Sequence, residues 1–351
     1  MRAVLLPGDS TVEIVKRDRP TPGLGQVIVQ IKAAGLCGSD VHMLYRTPKE
    51  KRAREIMRGL TIDPNIIAGH EPAGVVVDIG EGVTHISPGD RVAVAHISGC
   101  GTCLACRRGW DIDCPNKQTY GFDRDGAMSD FMVADAKDCA LLPASVSFTE
   151  GAFYACGAGT GYWALKRGGL SAGEVVVVVG LGPVGLAAAY FAAASGARVI
   201  GIDPVLERRE FALSHGVHHA IDAMDANALD RVLELSGGRG ADLAIDASGS
   251  SPGRVSALRS ARVRGRVVFV GFGAEQTNVD IGTDIIQKQL SVIGSWVYST
   301  PELQEMILDA SERGLSVEPL IVHRYDADDA DRAWMEFDEG SLGKSMLVWE
   351  D

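Results

Sequence analysis

Apolar and polar positions alternate through Gln26-Val27-Ile28-Val29-Gln30-Ile31-Lys32, which predicts a half-buried strand. Pro20, Pro22, Gly23 and Gly25 punctuate the approach to it. A second strand-rich stretch, Gly74-Val75-Val76-Val77-Asp78-Ile79, runs into Gly80 and Gly82, and Pro88-Gly89-Asp90 turns the chain into Arg91-Val92-Ala93-Val94. A β-rich region with long loops is therefore expected up to about residue 150. The texture then changes. Val175 to Val179 is a continuous β-branched run, as a strand buried on both faces requires. An alanine-rich helix is expected from Val184 to Ser195, stopped by Gly196. Further strands are expected at Arg198–Ile202, Val217–Ile221, Asp242–Ile245, Val267–Val270 and Leu290–Ile293, with helical patterns between them. Repeated β-α units of this kind imply a parallel, doubly wound sheet. After Gly294 a helix around Pro301–Arg313 and a strand at Lys344–Trp349 are too little for a separate domain and are expected to rejoin the first. The expected division is 1–153, 154–294 and a returning segment 295–351.

Composition narrows the class. The chain has 351 residues, of which 46% are hydrophobic and 23% charged, enough apolar material for two cores. A formal net charge of −12 repels phosphate backbones, so nucleic acid is not an expected partner. No apolar run reaches the roughly 18 residues of a membrane span, and Met1–Ser10 lacks the apolar region of a secretion signal, so a cytoplasmic protein is expected.

Gly180-Leu181-Gly182-Pro183-Val184-Gly185 matches G-x-G-x-x-G between a predicted strand and a predicted helix, the context that dinucleotide binding needs. Gly180 permits the tight turn, Gly182 lets backbone approach a pyrophosphate, and Gly185 lets helix and strand pack closely. The N–H groups at the helix start and its dipole then face the phosphates. Asp203, at the end of the next strand, stands where a carboxylate would bind ribose hydroxyls and repel a 2′-phosphate, which favours NAD. Arg208 and Arg209 lie close enough to receive a phosphate instead.

Cys100-x2-Cys103-x2-Cys106-x7-Cys114 can surround one Zn²⁺ tetrahedrally and leave no position for substrate, as in a structural site over residues 97–116. Two disulfides, a redox centre or a nucleic-acid zinc finger are the competing readings. The spacing and the acidic charge weigh against them. Three other segments carry metal-ligand chemistry: Cys37-Gly38-Ser39-Asp40-Val41-His42, Gly69-His70-Glu71-Pro72-Ala73-Gly74 and Cys156. Two thiolates and an imidazole would leave zinc an open fourth position. Periodicity alone does not group these three, and a lone His or Cys is more often a packed core residue. Cys139 fits no pattern and reads as a small buried hydrophobe.

Taken with Gly69-His70-Glu71-x2-Gly74-x5-Gly80-x2-Val83, these motifs fall in the order of the zinc-dependent medium-chain alcohol dehydrogenases, which the chain resembles through nearly its whole length. The resemblance implies an α/β protein with a GroES-like β-rich catalytic domain and a Rossmann domain, two Zn²⁺ per subunit, and a homodimer or homotetramer acting on a small alcohol or carbonyl substrate. It implies Cys37, His70 and Cys156 as catalytic zinc ligands, with Glu71 beside the metal assisting ligand exchange and Asp40 orienting His70. Ser39 would take the alcohol proton and His42 would pass it to solvent through the cofactor ribose. Thr160, Val270 and Phe272 would flank the nicotinamide, and Lys344 would lie near the cofactor phosphates. Polyol dehydrogenases similar to sorbitol dehydrogenase usually carry Glu where Cys156 stands, so the thiol resembles the alcohol dehydrogenase branch.

Two features bear on substrate. His96 lies where relatives often place an apolar pocket wall, and an imidazole there either binds a second hydroxyl or turns away. Arg46, Lys49, Lys51, Arg52, Arg54 and Arg58 form a basic run that would attract an anionic substrate or is simply a solvated face. A secondary or polyol-like alcohol, with or without an anionic group, is expected. A primary or aromatic alcohol is the alternative. A zinc-free quinone or enoyl reductase and a non-catalytic zinc or nucleotide-binding protein are the competing classes.

Overall fold

The structure, a computed structural model, describes residues 1–49, 55–57, 60–61, 65–273 and 276–349, with 55–57 and 60–61 described as backbone strands only. It divides into two units, Met1–Gly159 with Tyr298–Asp351, and Thr160–Val297. The edges fall a few residues after those expected because the helix Gly157–Arg167 begins in the first unit and continues into the second. Cys156 therefore belongs to the first unit.

Gln26–Gly35 is the central strand of the first unit. On one edge it pairs antiparallel with Pro72–Ile79, which pairs in turn with Arg91–Val94 and, beyond it, Cys139–Leu141. The other edge is shared. Its first half pairs with Phe131–Asp135 and its second with Lys344–Val348, so the segment that follows the second unit completes the sheet. The half-buried strand read from alternation needs correcting. Val27, Val29 and Ile31 join the main core, but Ile28 on the opposite face is fully buried too. The reason is the helix Phe148–Tyr154, which lies against this strand. That helix starts at a capping box: Ser147 Oγ accepts from Glu150 N while Glu150 Oε2 accepts from Ser147 N. The other carboxylate oxygen of Glu150 accepts from Ser316 Oγ and Val317 N, which fastens the returning segment to the helix.

The second unit is a six-stranded parallel sheet in the spatial order His219–Asp222, Arg198–Asp203, Val175–Val179, Ala241–Asp246, Ala261–Phe269, Ser291–Gly294. In chain order that is 3-2-1-4-5-6, the doubly wound arrangement whose switch point lies beside the first strand. All five valines of Val175–Val179 are buried, as a strand covered on both faces demands. The strand expected at Val217–Ile221 instead spans His219–Asp222, because Val217 is still engaged by the turn after the preceding helix, where its N–H bonds Ala212 O. No helix among the described residues is long and apolar enough to cross a membrane.

Candidate functional site

The glycine turn forms where Val175–Val179 ends. Gly180 has φ +90°, and a Cβ there would fall 2.7 Å from Ser248 N, so only glycine fits. A Cβ on Gly185 would lie 1.8 Å from Gly180 O, which is how closely helix and turn approach. Gly182, by contrast, has nothing within 4 Å of its Cβ position, so its face is open. It precedes the helix Pro183–Ala194 and gives it no side-chain cap, leaving the donors of the first turn, Val184 among them, available. Asp203 is buried at the end of the neighbouring strand. Its carboxylate accepts from Leu181 N at 2.7 Å and Val205 N at 2.9 Å, so it also fixes the glycine turn against the next loop. Arg209 is committed elsewhere, to the carbonyls of Asp203 and Pro204 and to Asp222 at 3.1 Å. Arg208 is partly buried. Val270 and Gly271 donate their N–H groups to Asp246 O, which ties that strand end to its neighbour, and Phe272 stands exposed beyond it. Thr160 Oγ1 is buried with no hydrogen-bond partner among the described residues.

In the first unit, Cys37 follows the central strand and starts the short helix Gly38–Asp40. His70 and Glu71 sit between the left-handed turn at Gly69 (φ +91°) and the strand Pro72–Ile79. Cys156 lies between Phe148–Tyr154 and Gly157–Arg167. Ligand atoms of Cys37, His70, Glu71 and Cys156 all lie within 4.8 Å of one another. Asp40 Oδ1 accepts from His70 Nδ1 at 2.9 Å, both groups being buried. That bond fixes the tautomer and leaves the His70 Nε2 lone pair for a metal. The charges of Asp40 and Cys37 outweigh the loss of solvent and raise the His70 pKa well above the ordinary range. Ser39 Oγ lies 3.2 Å from Cys37 Sγ and 3.4 Å from His70 Nε2. His42 is exposed on the short helix that follows. The donor set fits zinc: two sulfurs, one oriented imidazole, and no disulfide among them.

Lys344 is buried in the first unit, where Nζ donates to Leu36 O and Glu71 Oε1, each at 2.7 Å. Strand pairing is the cause: Lys344–Val348 lies antiparallel to the end of Gln26–Gly35, with Met346 opposite Gly35. Burial raises the Glu71 carboxyl, and the Lys344 ammonium pulls it back toward the charged form.

His96 is buried, with Nδ1 3.0 Å from Ala155 O and its ring edge-on to His70 at 5.2 Å between centroids. A carbonyl partner requires the proton on Nδ1, which leaves Nε2 as an acceptor. Burial and the neighbouring His70 push its pKa down to about 4. Phe122, which no sequence signal singled out, packs its ring 5.2 Å from that of His70 as part of the main core. Arg46 pairs with Asp338 at 2.6 Å, and Lys49 is exposed. Lys51, Arg52, Arg54 and Arg58 lie outside the described residues.

The four cysteines of the lobe also bring their sulfurs within 4.8 Å. The chain wraps them through backbone donors: Cys100 N to Cys114 Sγ at 3.3 Å, Cys103 N to Cys100 Sγ at 3.4 Å, and Asn116 N to Cys114 Sγ at 3.4 Å. A Cβ on Gly99 would sit 2.5 Å from Cys106 Sγ, so the strand before the lobe passes directly against the cluster. Hydrogen bonds from Thr102 lower the Cys100 thiol to about 6, the range in which a thiolate ligand forms readily.

Known proteins give the same outline. A family model described as alcohol dehydrogenase GroES-like domain matches residues 23–144, and one described as zinc-binding dehydrogenase matches residues 183–312. The chain is 39% identical to the uncharacterized zinc-type alcohol dehydrogenase-like protein YphC of Escherichia coli, across 100% of this chain and 99% of that one. It is 32% identical to the L-threonine 3-dehydrogenase of Pyrococcus horikoshii, across 96% of this chain and 94% of that one. The solved alcohol dehydrogenase TADH from Thermus sp. ATN1 superposes with a TM-score of 0.88 at 29% identity, over 99% of each chain. Motif order, strand order and full-length similarity converge, and the chain belongs to the zinc-type alcohol dehydrogenases of the medium-chain dehydrogenase/reductase family.

Proposed function

We propose that the protein is a zinc- and NAD-dependent dehydrogenase that interconverts a secondary or polyol-like alcohol, with or without an anionic group, and its carbonyl. The observation that carries this reading is the meeting of Cys37, His70 and Cys156 around one point with Ser39 against two of them. Zinc held there would supply a Lewis acid that makes an alcohol proton easier to lose, and NAD held on the glycine turn would supply the hydride acceptor. The chain's own residues do the rest. Asp40 locks the His70 ring. Ser39 Oγ accepts the substrate proton, and the exposed His42 hands it to water. The Asp203 carboxylate, which keeps the glycine turn in register, would accept from the ribose hydroxyls.

NAD is favoured over NADP because Arg209 is tied to two carbonyls and Asp222 and is not available to a 2′-phosphate. Replacing Asp203 with alanine is expected to raise the KM for NAD about tenfold or more while narrowing the preference over NADP, since a charged hydrogen bond of about 1.5–3 kcal/mol is lost. Steady-state KM values for both cofactors check this. An unchanged NAD-to-NADP ratio would count against the assignment.

A polar substrate is supported by His96 Nε2, an acceptor held beside His70, and by the likeness to a threonine dehydrogenase, whose substrate is a secondary alcohol with a carboxylate. His96→Phe is expected to lower kcat/KM about tenfold for substrates with a second hydroxyl and to spare simple alcohols. Equal losses on both would place His96 outside substrate contact. The second reading is a primary or aromatic alcohol. A panel of short alcohols, benzyl alcohol, polyols and hydroxy acids with NAD separates the two. Two zinc per subunit by elemental analysis supports the dehydrogenase, one the non-catalytic class, and none the zinc-free reductase. The exposed edge strand Ser291–Gly294 supports a homodimer or homotetramer through pairing of its free edge.

A further inference from the structure

We propose that Lys344 is a positioning residue whose ammonium holds the Glu71 carboxylate off the metal and so keeps the fourth position open to substrate. The proposal rests on the zinc reading of Cys37, His70 and Cys156. Glu71 directly follows one of these residues, and its carboxylate lies within 4.8 Å of their ligand atoms. A carboxylate is a good zinc ligand, and four protein donors make a closed, structural site. Something must therefore restrain Glu71.

The restraint is built around Lys344. Its side chain is 1% exposed, and Nζ reaches both Glu71 oxygens, at 2.7 and 2.6 Å, and Leu36 O at 2.7 Å. The Phe153 ring lies beneath the ammonium at 5.5 Å. One glycine makes the room. A Cβ on Gly35 would lie 2.2 Å from Glu71 Oε2 and 2.9 Å from Lys344 Cε. Burying a lysine is costly unless it is paired and hydrogen-bonded, and here both conditions are met by the group it restrains. The strand register sets the direction of pull, because Lys344 lies on the strand beside Gly35 and Leu36 N bonds Ser345 O.

The test uses the cobalt-substituted full-length enzyme, whose visible spectrum reports coordination, with imidazole as the added ligand. In the wild type imidazole is expected to shift the spectrum. In Lys344→Met, Glu71 fills the open position, the shift is lost, and kcat/KM falls about tenfold to a hundredfold. Lys344→Met/Glu71→Gln is expected to regain the imidazole response, a rescue that a purely structural role would not give. Lys344→Gln, which keeps a donor for Leu36 O, is read the same way and guards against poor folding of the methionine variant. An imidazole response in Lys344→Met or Lys344→Gln equal to that of wild type overturns the role of Lys344 alone. A wild-type spectrum and cobalt content unchanged by Cys156→Ser overturn the metal reading, and this proposal with it.

Discussion

Cys37→Ala and His70→Ala are each expected to cut kcat by about 10³-fold or more and to lower the metal content from two equivalents to one. A Lewis acid at a reacting oxygen is worth several kcal/mol, and each 1.36 kcal/mol is a factor of ten. Neither residue can be replaced from its surroundings. Cys37 is placed by the end of the central strand, and His70 by the left-handed turn at Gly69 and by Asp40. Removing either leaves two of the three ligands, and the one other donor of the group, Glu71, is already paired with Lys344. The measurement is paired: elemental analysis and turnover on the best substrate of the panel. Wild-type turnover in a variant lacking the second equivalent would refute the site.

Cys114→Ser is expected to release the other metal, lower Tm by about 10 °C or more, and open residues 97–116 to proteases. The lobe has little core of its own. Of its large apolar side chains, Leu104 and Trp110 are 66% and 50% exposed, Ile112 is half-buried and Ile97, at its start, is buried, whereas Cys114 is fully buried. Its order comes from sulfur: three backbone N–H groups point at Cys114 or Cys100 Sγ. Structural zinc contributes about 10–16 kcal/mol in isolated small domains, most of which here offsets the ordering of the lobe. A residue of several kcal/mol is enough for the shift, at about 2–4 °C per kcal/mol in a domain of this size. Thermal unfolding followed with and without chelator, and limited proteolysis, test it. An unchanged Tm and metal content would mean that the sulfurs hold no ion.

The features legible in the sequence are those whose partners lie within a few residues. The glycine turn and the four-cysteine lobe show themselves by spacing, because one turn of chain brings their atoms together. The Asp40–His70 bond spans 30 residues and was accessible only through likeness to relatives. Beyond that, register decides and sequence is silent. Lys344 meets Glu71 across 273 residues, and His96 finds Ala155 across 59. A single step of slip in the strand Lys344–Val348 would send its side chains to the opposite faces. Likewise the alternation in Gln26–Lys32 marks one buried face, and nothing in it announces the helix that buries the other.

The shared edge of Gln26–Gly35 has a consequence for biosynthesis. The second unit is one unbroken stretch, so a ribosome can release it whole and it can fold as soon as it emerges. The first unit has to wait, because half of one sheet edge stays bare until Lys344–Val348 is translated. During that interval Cys37, His70, Glu71 and Cys156 are all present while the lysine that would pair with Glu71 is not, so a zinc ion captured early would meet four competing donors. Metal loading of this chain is best timed after translation, and a stalled nascent chain is a trap for the ion rather than an enzyme in waiting.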